Sequence, residues 1–165
     1  MKEIYLGNEL GNLTEQDCKA IKEIMDGKSY YCFEVSWSNY AGNCQLIVKT
    51  AKPNAEKEAV RTLFLHCLAS EFARLAHQNK ILEQYVKIKY QHPQGIIMFE
   101  WSNRLFFYFD DRKNVEVILG YLKCGITYAA TPDGWPVAFV PRYGLGEVMQ
   151  KFIDKGVEVY FVDLN

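Results

Sequence analysis

The chain shows two rhythms of apolar residues. Cys18, Ala20, Ile21, Ile24 and Met25 recur at roughly helical spacing behind Thr14-Glu15-Gln16-Asp17. A threonine with an acid three residues on is a capping-box start, so the pattern predicts a helix ended by Asp26-Gly27-Lys28. The stretch "SYYCFEVSW" then alternates, with Tyr31, Phe33, Val35 and Trp37 on one face and Glu34 and Ser36 on the other. That is a half-buried strand. "SNYAGN" supplies a turn, "CQLIVKT" a second strand, and Pro53 blocks further strand. From Asn54 toward His77, Val60, Leu63, Phe64, Cys67, Leu68, Phe72 and Leu75 repeat at three and four, predicting a helix capped by Asn54 with Glu56 and Glu58 in its first turn. Residues 1–78 thus read as a helix, a hairpin and a helix.

The polar "HQNK", His77 to Lys80, marks the expected boundary. A further helix carries Ile81, Leu82, Tyr85, Val86 and Ile88 and stops at Pro93 and Gly95. "IIMFEW" and "LFFYF" are nearly continuous apolar runs, as expected of strands covered on both faces. Asp110-Asp111 ends that pair, and "NVEVILGYL" reads as a short helix. "GITYAAT" and "PVAFVP" read as strands around a "PDGW" turn, "YGLGEVMQKFIDKG" as a helix capped by Gly156, and "VEVYFV" as a last strand. The fold class expected is α+β: a helix-hairpin-helix unit, then residues 79–165 as a mixed sheet flanked by helices.

Charge narrows the function classes. Lys and Arg number 19 against 20 Asp and Glu, a formal net charge of -1. Binding to nucleic acid would therefore need a local basic patch. The first unit shares part of its order with double-stranded RNA-binding domains, but lacks a third strand and has an acidic first helical turn. No apolar run reaches the ~18–20 residues of a membrane span, and "MKEIYLGNELGNLTEQ" has no apolar signal region. A cytoplasmic protein without membrane contact is expected. Cys18, Cys32, Cys44, Cys67 and Cys124 include no Cys-x-x-Cys pair and read as small buried hydrophobes. His66, His77 and His92 have no metal-ligand spacing, and His66 reads as packed within a helix face. No nucleophile has an evident partner histidine, Asp110-Asp111 reads as helix capping, and Glu147 opposes anion binding at "YGLGEV". Neither an enzyme nor a cofactor is expected.

Three motifs in fixed order carry a resemblance. "LEQYVKIKYQHP" supplies Gln84, Tyr85, Lys89 and Pro93. Two apolar strands end in Asp110-Asp111. "WPVAFVPRYGLGEVMQKFIDKGVEVYFVDLN" supplies a strand, a Val-Pro-aromatic corner, a helix, a glycine and a closing strand. Residues 81–165 resemble the N-terminal mismatch-recognition domain, domain I, of the DNA mismatch repair protein MutS. The resemblance implies the corresponding fold and a role in DNA work. In that family the corner between the apolar strands reads Gly-Asp-Phe-Tyr-Glu; the Phe wedges beside a mispaired base and the Glu hydrogen-bonds it. An inserted ring that unstacks and kinks DNA is sound physical chemistry.

Aligned without gaps from Pro93 to Asp110-Asp111, the same positions read Ser102, Asn103, Arg104, Leu105 and Phe106. An arginine replaces the wedge and a ring replaces the carboxylate. The chain also has no Gly-x-x-x-x-Gly-Lys-Ser/Thr loop for ATP. The expectation is a non-enzymatic DNA-associated module, of the kind found in a mobile element or repair-related operon, that binds the DNA backbone and does not read mismatches. The candidate DNA-binding residues are Asn103, Arg104, Arg142, Tyr143, Lys87 and Lys89, with Arg112 and Lys113 able to enlarge a basic surface. Set against this, Ser102 and Asn103 are ordinary turn residues and Trp101 is expected in the core. The alternative is a protein–protein interaction module, including self-association, with Trp37, Tyr40 and Trp135 as an apolar docking surface.

Overall fold

The computed structural model describes residues 3–6, 10, 12–28, 30–40, 43–52 and 54–165, without the side chains of Tyr40 and Asn43. Ser29, the Ala41-Gly42 part of the expected turn, Pro53 and the Tyr40 side chain lie outside these residues. The chain forms two compact units, Met1–His77 and Gln78–Asn165, each taken by itself below.

The first unit contains β1 (Glu3–Leu6), α1 (Glu15–Met25), β2 (Glu34–Tyr40), β3 (Asn43–Lys49) and the start of α2 (Lys57–Gln91). The strands form an antiparallel sheet ordered β1-β3-β2. The α1 start is a complete capping box: the Asp17 amide donates to Thr14 Oγ1 at 3.1 Å and the Thr14 amide donates to Asp17 at 2.9 Å. Cys18, Ile21 and Met25 then fall on one buried stripe. They meet Phe33, Val35, Leu46, Val48 and Phe64 in one core, where Phe33 and Phe64 pack edge-on with centroids 5.1 Å apart.

Several expectations for this unit are corrected. The sheet has a third strand, β1, whose Ile4 and Leu6 alternate inward opposite β3; a four-residue run gives too short an alternation to stand out. Strand β2 starts at Glu34, after Tyr30–Cys32 form a turn, and Cys32 has φ 45°. Helix α2 starts at Lys57, so Asn54 lies in a turn and is not its cap. His66 is exposed: Val60, Phe64 and Leu68 point inward at four-residue spacing, and a residue two places from Phe64 turns about 200° away. Of the cysteines, Cys18 alone is buried, and Cys32 is exposed.

No helix break occurs at His77–Lys80; α2 is one 35-residue helix. Neither Gly nor Pro occurs between Asn54 and Pro93, and Gln, Lys, His and Asn are at most mildly unfavourable in a helix. Local polarity resembled a linker without containing a breaker.

The second unit holds the rest of α2, then β4 (Ile96–Trp101), β5 (Arg104–Tyr108), α3 (Asp110–Leu119), β6 (Thr127–Ala130), β7 (Pro136–Pro141), a 3-10 turn at Arg142–Gly144, α4 (Leu145–Asp154) and β8 (Val159–Asp163). The sheet order is β6-β7-β5-β4-β8, antiparallel except for the parallel β4–β8 pair. This is the expected mixed sheet. The apolar runs are continuous because the sheet is covered twice. Ile96, Met98, Leu105 and Phe107 meet Val115 and Leu119 of α3 and Val148 and Phe152 of α4 on one face. On the other face, Ile97, Phe99, Phe106 and Tyr108 meet Ile81, Tyr85 and Ile88 of α2. Asp110 and Asp111 begin α3 and do not close β5, which ends at Tyr108. Trp135 is half-buried against the α2-side core, 5.0 Å from the Phe109 ring, and Trp37 sits within β2. Trp37 thus lies in a strand and not in the expected turn, whereas Trp135 does lie in the β6–β7 turn, closed by the Thr131 amide donating to the Trp135 carbonyl at 2.9 Å.

Candidate nucleic-acid interface

The hairpin between β4 and β5 turns on Ser102 and Asn103, with φ of 51° and 58°. Two successive left-handed residues make the tight turn whose twist matches paired strands. Asn tolerates that conformation well and Ser less so, so the turn reading of both residues holds. The turn sets Trp101 opposite Arg104. Strand β7 pairs on the other side of β5, placing Pro141 opposite Arg104. The Arg142 amide then donates to the Asn103 carbonyl at 2.9 Å. The two corners, far apart in sequence, are thereby joined at one end of the sheet. The segment after β8 closes a third side: the Leu164 amide donates to the Glu100 carbonyl at 2.9 Å, and the Ser102 amide to Asn165 Oδ1 at 3.2 Å.

The two arginines share that end but not a face. Leu105 belongs to the α3/α4 face and Phe106 to the α2 face, so strand alternation puts Arg104 on the α2 side. Its guanidinium lies 5.2 Å from the Phe139 ring centroid, and it makes no ion pair among the described residues. Arg142 instead meets Glu100, which alternates onto the α3/α4 side; Nε and Oε1 are 2.5 Å apart, with side-chain exposures of 43% and 16%. Tyr143 beside it is 83% exposed. Trp101, the last residue of β4, is 44% exposed, contrary to the core expectation.

The lysines divide as well. Lys87 is exposed on α2. Lys89 is internal: its Nζ donates to the Gly95 carbonyl and to Asp111, 2.5 Å away, with exposures of 19% and 0%. Asp111 also accepts from the Ile97 amide at 2.9 Å. Burial pushes its carboxyl up, while Lys89 and the Ile97 amide pull the other way. Lys89 therefore holds the helix to β4 and is not placed to touch phosphate. Arg112 lies over the Tyr128 ring and pairs with Glu116 at 3.1 Å, and Lys113 is exposed.

Two other features have structural roles. Asp111 is the partner of Lys89, and among the described residues no group of three or more His, Cys, Asp or Glu could hold a metal. Glu147 in the first turn of α4 accepts from the Lys123 amide at 2.6 Å and the Cys124 amide at 3.2 Å. Those amides, Lys123 first, hold its carboxyl below the ordinary range. No described helix is long and apolar enough to cross a membrane. Sequence reasoning did not find Glu100 as the partner of Arg142, or Phe139 beneath Arg104. The only available signal was alternation along β4, which separates Glu100 from Trp101.

Residues 79–165, just over half of the chain, match the family model described as MutS domain I. The chain belongs to that family. Its MutS domain I segment takes in every strand of the second sheet and both corners. The DNA mismatch repair protein MutS of Thermotoga neapolitana is 29% identical over 83 residues, which cover 50% of this chain and 10% of that relative. The chain thus spans about a tenth of the length of the curated relative it matches.

Proposed function

We propose that the MutS domain I segment binds duplex DNA through its backbone at the joined corners, without enzymatic activity and without reading mismatches by an inserted ring and carboxylate. The observation that carries this is Arg104. It stands in this sequence where the resemblance implies the wedging ring, is exposed, and has no acid partner among the described residues. A guanidinium so placed suits a phosphate or a narrow minor groove. The relative's printed name, a DNA mismatch repair protein, supports a DNA-associated role. Asn103, Tyr143 and Lys87 are the accessible supporting candidates; Arg142 contributes when Glu100 releases it. Lys89 is left out of the proposal because Asp111 holds it.

A protein-interaction module is the second reading. It is favoured by the acids on Arg142 and Lys89, which remove two of the expected cations. Fluorescence anisotropy with a labelled duplex at low and moderate salt separates the two. The DNA reading expects binding at low salt that weakens as salt rises, and a clear loss in Arg104→Ala/Arg142→Ala with an unchanged circular dichroism spectrum. No binding at low salt, or an unaffected double variant, supports the interaction module instead.

A further inference from the structure

Within the second unit α2 is apolar on two sides. Ile81, Tyr85 and Ile88 pack on the sheet. Leu82, Val86 and Tyr90, spaced four apart, form a second line, 41%, 59% and 90% exposed. Asn79 continues that line one turn earlier and is also exposed. A contiguous exposed apolar stripe marks an interaction site. The stripe is bordered on one flank by Glu83 and Lys87, both exposed and neither in an ion pair among the described residues. The opposite flank carries Gln78, which is buried, and Tyr85, which packs on Phe109 at 4.8 Å.

We propose that this stripe joins two copies of the chain, their α2 helices antiparallel about a two-fold axis between residues 84 and 85. The charge pattern chooses the partner and the direction. In an antiparallel pair the same flank of each helix meets its counterpart. Glu83 of one copy then lies beside Lys87 of the other, and the contact is made twice by symmetry. The same register sets Leu82 against Val86 and Asn79 opposite Tyr90, whose hydroxyl can bond the amide. A parallel pair would bring the Glu83/Lys87 flank against Gln78, which is buried, Tyr85, which packs on Phe109, and Lys89, which Asp111 holds. This contact goes beyond the DNA reading and does not depend on it.

Size-exclusion chromatography with light scattering on the full chain, without DNA, tests the proposal. The wild type elutes with a dimer's mass. Glu83→Lys and Lys87→Glu, both at exposed positions, each weaken the dimer about tenfold with unchanged circular dichroism. Mixing the two variants restores association as a heterodimer, detected by pull-down of the untagged variant on a tagged one. An interaction within one helix cannot produce that rescue. Val86→Glu removes the dimer in any mixture. A wild type that stays monomeric at high micromolar concentration, single variants that dimerise like the wild type, or a mixture no better than its parts would each overturn the proposal.

Discussion

Two cation–carboxylate pairs sit at the two ends of β4, and they are opposites in everything but distance. At the start of the strand Lys89 meets Asp111, and at its end Arg142 meets Glu100, each across 2.5 Å. Asp111 is 0% exposed and also takes the Ile97 amide, so the pair ties α2, β4 and α3 together inside the fold. Arg142 is 43% exposed and Glu100 16%, so removing the acid leaves a cation that water reaches. A buried pair is expensive to break on one side because the surviving charge is left desolvated; a surviving charge that water reaches costs less. One end of the strand is therefore fixed, and the other carries a pair whose cation water can reach.

The largest test of that contrast is Asp111→Ala. It strands the Lys89 ammonium and should cost ~3–5 kcal/mol in a denaturant titration. Lys89→Met with Asp111→Leu should cost less than either single change, since no charge is left behind; a double variant as unstable as the sum would contradict the view that stranded charge is the cause. Next is Ser102→Val at the wet end, where a β-branched residue must hold φ of 51°. The expected loss is ~1–3 kcal/mol, with strand pairing retained in amide exchange. Smaller again is Glu100→Ala: about 1 kcal/mol or less in stability, with duplex affinity rising severalfold because Arg142 is freed. Unchanged or weaker binding would mean that Arg142 does not face DNA.

The smallest effect is in pH. Glu147 has its carboxyl held low by the Lys123 and Cys124 amides, so its contribution is complete above the ordinary carboxylate range and lost as pH falls through the lower folded value. Asp111 is shifted upward by burial, so its titration penalises the fold above its folded value, and the penalty disappears below the ordinary range. Glu147→Gln should therefore flatten the acid side of a stability–pH curve, and Asp111→Asn should move it the other way.

Much of the second unit was legible because its signals were strong. Pro136 and Pro141 bracket β7, and the apolar runs of β4 and β5 span a doubly covered sheet. The helix break expected at His77–Lys80 does not occur, because polar residues without Gly or Pro do not stop a helix. Trp101 departs from the core expectation because its place at a strand end counts for more than its residue type. At the site, Arg104 was visible as an unusual residue at a hairpin tip. Its separation from Arg142 by the sheet depends on register, which one sequence does not display. Lys89 looked like a solvated lysine until β4 and α3 brought Gly95 and Asp111 to it.

The most direct measurement is the slope of log affinity for duplex DNA against log salt, compared between wild type and Arg104→Ala. If the corner arginine neutralises a phosphate, the variant's slope is shallower by about 0.9 and its binding is weaker at low salt. Equal slopes and equal affinities would remove Arg104 from the interface, and with it the account of how this chain meets DNA.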